Sequence, residues 1–423
     1  MRILSLTAGA ARMYCGSCLR DNALARELRR LGHDVVLMPL YTPTRTDEPN
    51  ESAAERVLFG GVSVWLQQHY ALFRRLPRFL DRVWDSRWAL AAAAKSSISV
   101  DPRALGALTA ATLEGENGPL RREFRKLERW LRALPRPDIA SLPNTMLISM
   151  APLIRRVCQC PVVCTMQGED LFLEGLLEPW RSQSLALIAR HAAACDGFLA
   201  VSAFYADFMA RYLSLERAKV HVAPVGVDPS DFHPREGGGA AFRIGYLARV
   251  APEKGLHDLA GAYAPFRAAH PGPSTLEAAG YVAPEHRAYL DGIRARCPEL
   301  AWRGELDRAA KVRFLASLDA FCVPAVYEEP KGLYVLEALA SGVPVVAPAR
   351  GAFPELAARC GGVRLVQPGD PAALAAALAG LAGDPARAAA LGREGREGVL
   401  RTSTVTHMAL ATLELYHLLG APQ

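Results

Sequence analysis

The sequence predicts an α/β protein made of two doubly wound domains, each a parallel sheet covered by helices. Three observations predict it. Short apolar runs of strand length alternate with helix-length segments along the chain. The alternation stops once, at the Gly-rich stretch REGGGA, and then restarts. A chain of 423 residues that is 51% hydrophobic can also bury two cores without disulfide staples. The expected division is a first domain over 1–234, a linker over 235–240, a second domain over 241–405 and a closing segment over 406–423.

The first element is the strand RILSLT. Arg2 followed by ILSLTAGAA has the outline of a short secretory signal. The strand reading is preferred, because the helix expected over Asp21 to Leu31 and the strand HDVVLMPLY complete a βαβ unit with it. In that helix Leu24, Leu28 and Leu31 share a face, Arg26, Arg29 and Arg30 suit the last-turn dipole, and Gly32 ends it. The strands CPVVCTM and GFLAVS follow in the first half. The second half reads as FRIGYLARV, PSTLEAAGY, AWRGE, DAFCVPA, VPVVAPA and VRLVQP, with a helix-length segment between each pair.

No apolar run is long enough to span a bilayer. Nine cysteines, scattered and odd in number, point to a reducing, cytoplasmic setting instead of a secreted disulfide framework. Cys158, Cys160 and Cys164 lack a second C-x-x-C or a His pair at zinc-site spacing, so no metal is expected. The stretch CGSC, with Cys15 and Cys18 ahead of a helix, reads two ways. One is a thiol–disulfide centre; the other makes Gly16 the residue that lets the backbone pass close to a phosphate or sugar. No G-x-G-x-x-G, G-x-x-x-x-G-K-[ST] or G-x-S-x-G motif occurs at the required place, which weakens the dehydrogenase, ATPase and hydrolase readings.

Two doubly wound domains are expected to leave a ligand cleft beyond the carboxyl ends of their strands. In the second domain, Arg249 and Lys254 flank a strand-to-helix turn, where a guanidinium and an ammonium beside free amides can clamp a diphosphate. An ordinary solvated turn would carry the same residues. Downstream, Glu329 and Glu337 stand eight residues apart around Gly332. A helix starting near Gly332 would aim the amides of Lys331, Gly332 and Leu333 at the cleft, with both carboxylates able to accept from sugar and ribose hydroxyls. The same spacing also suits a solvent-facing Glu337 and a dipole-stabilising Glu329.

The segments GYLARVAPEKG and EEPKGLYVLEALASGVPVVA resemble the donor-binding segments of retaining GT-B glycosyltransferases of family 4. TMQGED, FLAVS, VAPVGVDPSDFHP, PARGAFPELA and VQPGDPAALAAAL follow the family order almost end to end. The resemblance implies a GT-B fold, with two Rossmann-like domains facing across a cleft. It also implies a nucleotide-diphosphate-sugar donor on the second domain and a hydroxyl acceptor on the first: a glycan, a lipid-linked glycan or a small molecule. Transfer would retain configuration and need neither a metal nor a cofactor. Arg249 and Lys254 would hold the diphosphate and stabilise the leaving group, Glu337 the ribose and Glu329 the transferred sugar; Gly16 would lie in the first-domain glycine loop facing the donor. Gln167 stands where a histidine is usual, Lys331 where an aromatic is common and Val225 where an asparagine is common. The segment Thr406 to Gln423, with Leu410, Leu413 and Leu418, resembles the last helix that crosses back to the first domain. The alternatives to a transferase are a thiol–disulfide protein using Cys15 and Cys18, and a nucleotide-sugar-binding protein without transfer.

The formal net charge is +6, and two segments account for more than all of it. Ala71 to Trp88 holds five arginines and two aspartates, with Phe73, Phe79, Trp84 and Trp88 among them. Arg121 to Arg136 holds seven basic and two acidic residues opposite the stripe Leu120, Phe124, Leu127, Leu131 and Leu134. Both suit peripheral contact with an anionic membrane and equally suit helices packed on the first domain. No nucleic-acid-binding module accompanies the charge, so no nucleic acid partner is expected.

Overall fold

The computed structural model describes residues 1–9, 15–42, 44, 46–52, 102–234 and 239–422. The basic segment Ala71 to Trp88 lies outside them. The chain divides into two compact units, one of Met1–Ala223 with Ala409–Gln423 and the other of Pro224–Met408. The division falls before Pro224, ahead of the 235–240 stretch, because residues 224–234 are bonded into the second unit. Val227 bridges Thr404, the Phe232 carbonyl accepts from Arg396 at 2.6 Å, and Arg308 stacks 5.0 Å from the Phe232 ring.

In the first unit, β1 (Arg2–Thr7), β2 (Asp34–Pro39), β3 (Ile139–Leu142), β4 (Val162–Met166), β5 (Gly197–Ala200) and β6 (Val220–Val222) form a parallel sheet in the order β2-β1-β3-β4-β5-β6. The strand RILSLT therefore lies inside the sheet, bonded on both sides. Helix α1 runs over Gly16–Arg30, starting earlier than the apolar periodicity suggests, with Cys15 extended as its N-cap. Helices α2 (Pro102–Leu113), α3 (Arg121–Ala133), α4 (Ala151–Cys158), α5 (Asp170–Glu174), α6 (Trp180–Ala192) and α7 (Ala203–Tyr212) follow.

The expected stripe of α3 is buried at Leu120, Phe124, Leu127 and Leu131. Its opposite face exposes Arg121, Arg125, Arg129 and Arg132, of which Arg132 pairs with Glu128 at 2.8 Å.

The second unit is built in the same way. Its strands β7 (Phe242–Leu247), β8 (Ser274–Ala279), β9 (Leu300–Trp302), β10 (Ala320–Cys322), β11 (Val345–Pro348) and β12 (Val363–Val366) are all parallel, in the order β12-β11-β10-β7-β8-β9. Helices α8 (Leu256–Ala269), α9 (Arg287–Arg296), α10 (Arg308–Ala316), α11 (Leu333–Ala340), α12 (Phe353–Cys360), α13 (Pro371–Gly383) and α14 (Pro385–Thr402) cover it.

The last helix, α15 (Val405–Leu418), ends in the first unit. Leu410, Leu413 and Leu418 all lie on this helix, Leu413 buried and Leu410 and Leu418 exposed. The 3.6-residue period also buries Met408, Ala409, Thr412, Leu415 and Tyr416.

Helix α14 carries Gly392, Gly395 and Gly398 on one face, where the backbones of Gly342 and of Cys360 at the end of α12 meet Gly392 and Gly398 directly. A Cβ at Gly392 would stand 2.0 Å from the Gly342 carbonyl oxygen, and one at Gly398 1.8 Å from that of Cys360. Gly398→Ala is expected to destabilise the protein by about 2 kcal/mol through overpacking, in spite of alanine's better helix propensity. Gly383→Ala, where a Cβ meets nothing within 4 Å, is the control. Thermal unfolding that places both variants at or above the wild type would contradict this packing.

Candidate active site

In the second sheet the chain runs from β7 out through β8 and β9, then returns at β10 on the other side of β7. The order reverses between β7 and β10, and ligands of such sheets bind beyond the carboxyl ends of the strands at that point. Two loops leave it. The loop after β7 carries Arg249 and Lys254; the loop after β10 carries Glu329, Lys331 and Gly332 and leads into α11, with Leu333 as its first residue and Glu337 in its second turn.

A backbone tie and one glycine hold the two loops together. Val326 N–H donates to the Glu253 carbonyl at 3.0 Å. Gly255 has a left-handed backbone (φ 71°), and a Cβ there would stand 1.8 Å from the Pro324 carbonyl oxygen. Lys254 is thereby set beside Glu329. Its Nζ donates to Glu329 Oε2 at 2.6 Å and to the Tyr327 hydroxyl at 2.7 Å. Tyr327 and Tyr334 each donate from their hydroxyls to the same Oε2 at 2.7 Å, and Gly332 N–H donates to Oε1 at 3.3 Å. The ammonium also lies 4.7 Å and 5.1 Å from the centroids of the two tyrosine rings.

Glu329 is 2% exposed. Burial pushes its carboxyl up, but the adjacent Lys254 ammonium and the hydrogen bonds from Lys254, Tyr327 and Tyr334 outweigh burial and hold it down at about 2. An ammonium has three donors, so two bonds leave Lys254 one more N–H for an anion.

The other expected residues surround this pair. Arg249 is ion-paired with Glu253 one helical turn along, with about a third of its side chain exposed. Gly332 caps α11 in the left-handed region (φ 62°), and a Cβ there would stand 2.8 Å from Leu356 Cδ1. Lys331 and Leu333 are half-buried on either side of it. Glu337 is 7% exposed and paired through Oε1 with Lys311 Nζ at 2.6 Å. The solvent-facing alternative for Glu337 is therefore set aside. Tyr327, Tyr334 and Lys311 escaped the sequence reading. The two tyrosines lie within five residues of Glu329, so their nearness was visible, whereas nothing in the sequence ties Lys311 to Glu337.

Gly16 and Gln167 belong to the first unit. Gly16 is the first residue of α1 and is half-buried. Gln167, just past β4, is buried; its Nε2 donates to the Pro143 carbonyl at 2.8 Å and to Asp21 Oδ1 at 3.4 Å. Its backbone is held by Glu169, a buried carboxylate that accepts from the N–H groups of Gln167, Gly168 and Thr145 and from the Thr145 hydroxyl at 2.8–3.1 Å. The sequence reading passed over Glu169. Cys15 and Cys18 are thiols and not joined in a disulfide. The hydrogen bond with Cys15 and burial both push the Cys18 thiol well up, opposite to the shift an activated thiolate requires.

The architecture and the chain's relatives agree on the class of protein. Residues 241–384 match the family profile of glycosyl transferases group 1, and residues 106–231 that of glycosyltransferase family 4. The α-maltose-1-phosphate synthase of Mycolicibacterium smegmatis is 30% identical over 280 residues, covering 58% of this chain and 71% of that one. A glycogen synthase of Mycobacterium tuberculosis is 28% identical over 293 residues, covering 66% and 69%. Among solved structures, sucrose-phosphate synthase from Thermosynechococcus elongatus superposes with a TM-score of 0.71 at 18% identity, covering 99% of this chain and 98% of that one. Anabaena HepE in complex with UDP-glucose gives 0.67 at 16%, covering 99% and 100%.

The fold is that of the GT-B glycosyltransferases, and the protein is a glycosyltransferase. The chain belongs to glycosyltransferase family 4, the group 1 glycosyl transferases.

The depressed Glu329 carboxyl makes the Lys254 pair a pH-dependent contribution to stability. With the folded value at about 2 against an ordinary 4.5, the contribution is complete above the ordinary value and is lost as pH falls toward the folded one. The melting-temperature advantage of the wild type over Glu329→Gln is therefore expected to stay constant from about pH 8 to about pH 5 and to shrink below that. Calorimetry showing an advantage that grows on acidification would contradict the pairing.

Proposed function

We propose that this glycosyltransferase moves a sugar from a nucleoside-diphosphate sugar to a hydroxyl acceptor with retention of configuration. The single observation that carries the reading is the Lys254–Glu329 pair at the β7/β10 switch point, with Arg249 beside it on the same loop. As the glycosidic bond breaks, negative charge grows on the departing diphosphate. Cations fixed in advance stabilise that change without reorganisation. Arg249 and the third N–H of Lys254 are read as the donors to it, in the role a metal ion fills in other transferases. Glu329 offers Oε1, the less loaded of its two oxygens, to hydroxyls of the transferred sugar, and Glu337 faces the ribose.

On this reading the leaving phosphate takes the acceptor's proton on the same face, and no second nucleophilic carboxylate is required. Three HepE structures that share the fold hold UDP, UDP with glucose, or UDP-glucose, which makes UDP sugars the first donors to try here. The acceptor class stays as broad as the sequence analysis left it. The exposed arginine face of α3 supports a membrane-proximal or anionic acceptor as one branch of that class.

Thermal unfolding with a panel of nucleotide sugars is expected to show one donor family raising the melting temperature, by mass action. Arg249→Ala is expected to lower transfer from that donor at least about 100-fold, the order seen when one transition-state donor is removed. Cys15→Ser with Cys18→Ser should keep most of the transfer. Normal turnover by the Arg249 variant would remove the site from the second unit, and loss of transfer in the double cysteine variant would return the thiols to consideration.

A further inference from the structure

The proposed nucleotide site holds a second buried lysine–carboxylate pair, and its lysine comes from a different part of the chain. Lys311 lies in the first turn of α10, which follows β9, and Glu337 lies on α11, which follows β10, so both belong to the carboxyl edge of the second sheet. Lys311 is 8% exposed and Glu337 7% exposed, with Nζ 2.6 Å from Oε1. The lysine is fixed from behind. Asp307 caps α10, its Oδ1 accepting from Ala310 N–H at 2.8 Å and its carbonyl from Lys311 N–H at 2.8 Å.

Such a pair is weak evidence of a stabilising role, because desolvating two charges offsets most of their attraction and an apolar pair of similar volume often does as well. Its effect on a ligand is clearer. A nucleoside diphosphate placed at this edge would meet two carboxylates, Glu329 and Glu337, which both repel it. Lys254 neutralises the first and Lys311 the second.

We propose that Lys311 is a positioning residue for the nucleotide. It holds Glu337 through Oε1 and cancels its charge, so that the remaining acceptor capacity of the carboxylate is directed to the vicinal hydroxyls of the ribose. This rests on the reading of Glu337 given above. Lys311 itself touches neither sugar nor phosphate. The ribose hydroxyls contribute to affinity only while the ammonium keeps the carboxylate in place.

Titration calorimetry on the full chain tests this. UDP, GDP, ADP and CDP are the probes, and the nucleotide that binds is compared with its 2′,3′-dideoxy analogue. Hydrogen bonds to a charged acceptor predict that the wild type prefers the ribonucleotide by about tenfold or more. Glu337→Ala should abolish the preference, and Lys311→Met should remove most of it. Lys311→Arg should keep it, and Lys311→Met in the Glu337→Ala background should cost nothing further. With the full donor, Lys311→Met should raise KM about tenfold and leave kcat within about twofold, because ground state and transition state lose the same contact.

The pair Lys311→Met with Glu337→Leu is the folding control, expected to melt near the wild type while lacking the preference. A wild-type preference in Lys311→Met when Glu337→Ala has lost it would overturn the role of Lys311 and leave the ribose reading standing. A preference surviving in Glu337→Ala, or no binding by any of the four nucleotides, would overturn the ribose reading and Lys311 with it.

Discussion

A carboxylate sealed from water must find its donors within the protein, and at Glu329 that requirement organises the whole switch point of the second sheet. Leaving such a group ionised and unmatched would cost several kcal/mol. The loops after β7 and β10 come together because Lys254, Tyr327 and Tyr334 converge on one oxygen of it. Gly255 and the Val326–Glu253 backbone bond are the means by which they can. The two tyrosine rings do double service, giving hydroxyls to the carboxylate and π-faces to the ammonium.

The first unit shows the same arrangement with a different balance of charge. Glu169 takes its donors from backbone amides and from the hydroxyls of Thr145 and Tyr205, and burial pushes its carboxyl up. It clamps the turn after β4 to the turn after β3, and Gln167 reaches Pro143 and Asp21 from that clamped turn. In each unit, then, a buried glutamate beyond a strand end fixes the loops on which the expected site residues stand. Only the glutamate of the second unit is held ionised by a lysine.

Much of this was legible in the amino-acid order, and the parts that were not have physical reasons. The strands of the second unit could be read because VVAP- and FRIGYL-like runs are apolar on both faces, as buried parallel strands must be. Strand β3, Ile139–Leu142, was missed because alanine and serine supply half of its four residues; strand β6 was missed because it has only three. The start of α1 was misplaced because Gly16, Ser17 and Cys18 carry no helical periodicity, so the signal begins at Asp21. Glu329 and Glu337 stood out as two carboxylates around one glycine at a helix start. Lys311 did not, since DRAAKVRFLA reads as an ordinary amphipathic helix and its partner lies 26 residues away.

The return of α15 to the first unit has a consequence for how the chain acquires its structure. Leu415 packs within 3.4–3.6 Å of where a Cβ on Gly197 would lie, and Tyr416 is fully buried beside Ser141. These residues follow the whole of Pro224–Met408 in the chain, whereas the sheet they cover precedes it. An order in which the earlier unit finishes folding while the later one is still being made therefore cannot complete the first unit. The contiguous unit, Pro224–Met408, can close on itself during synthesis. The first sheet must wait for α15, with its surface at β5 uncovered until the second unit has been made.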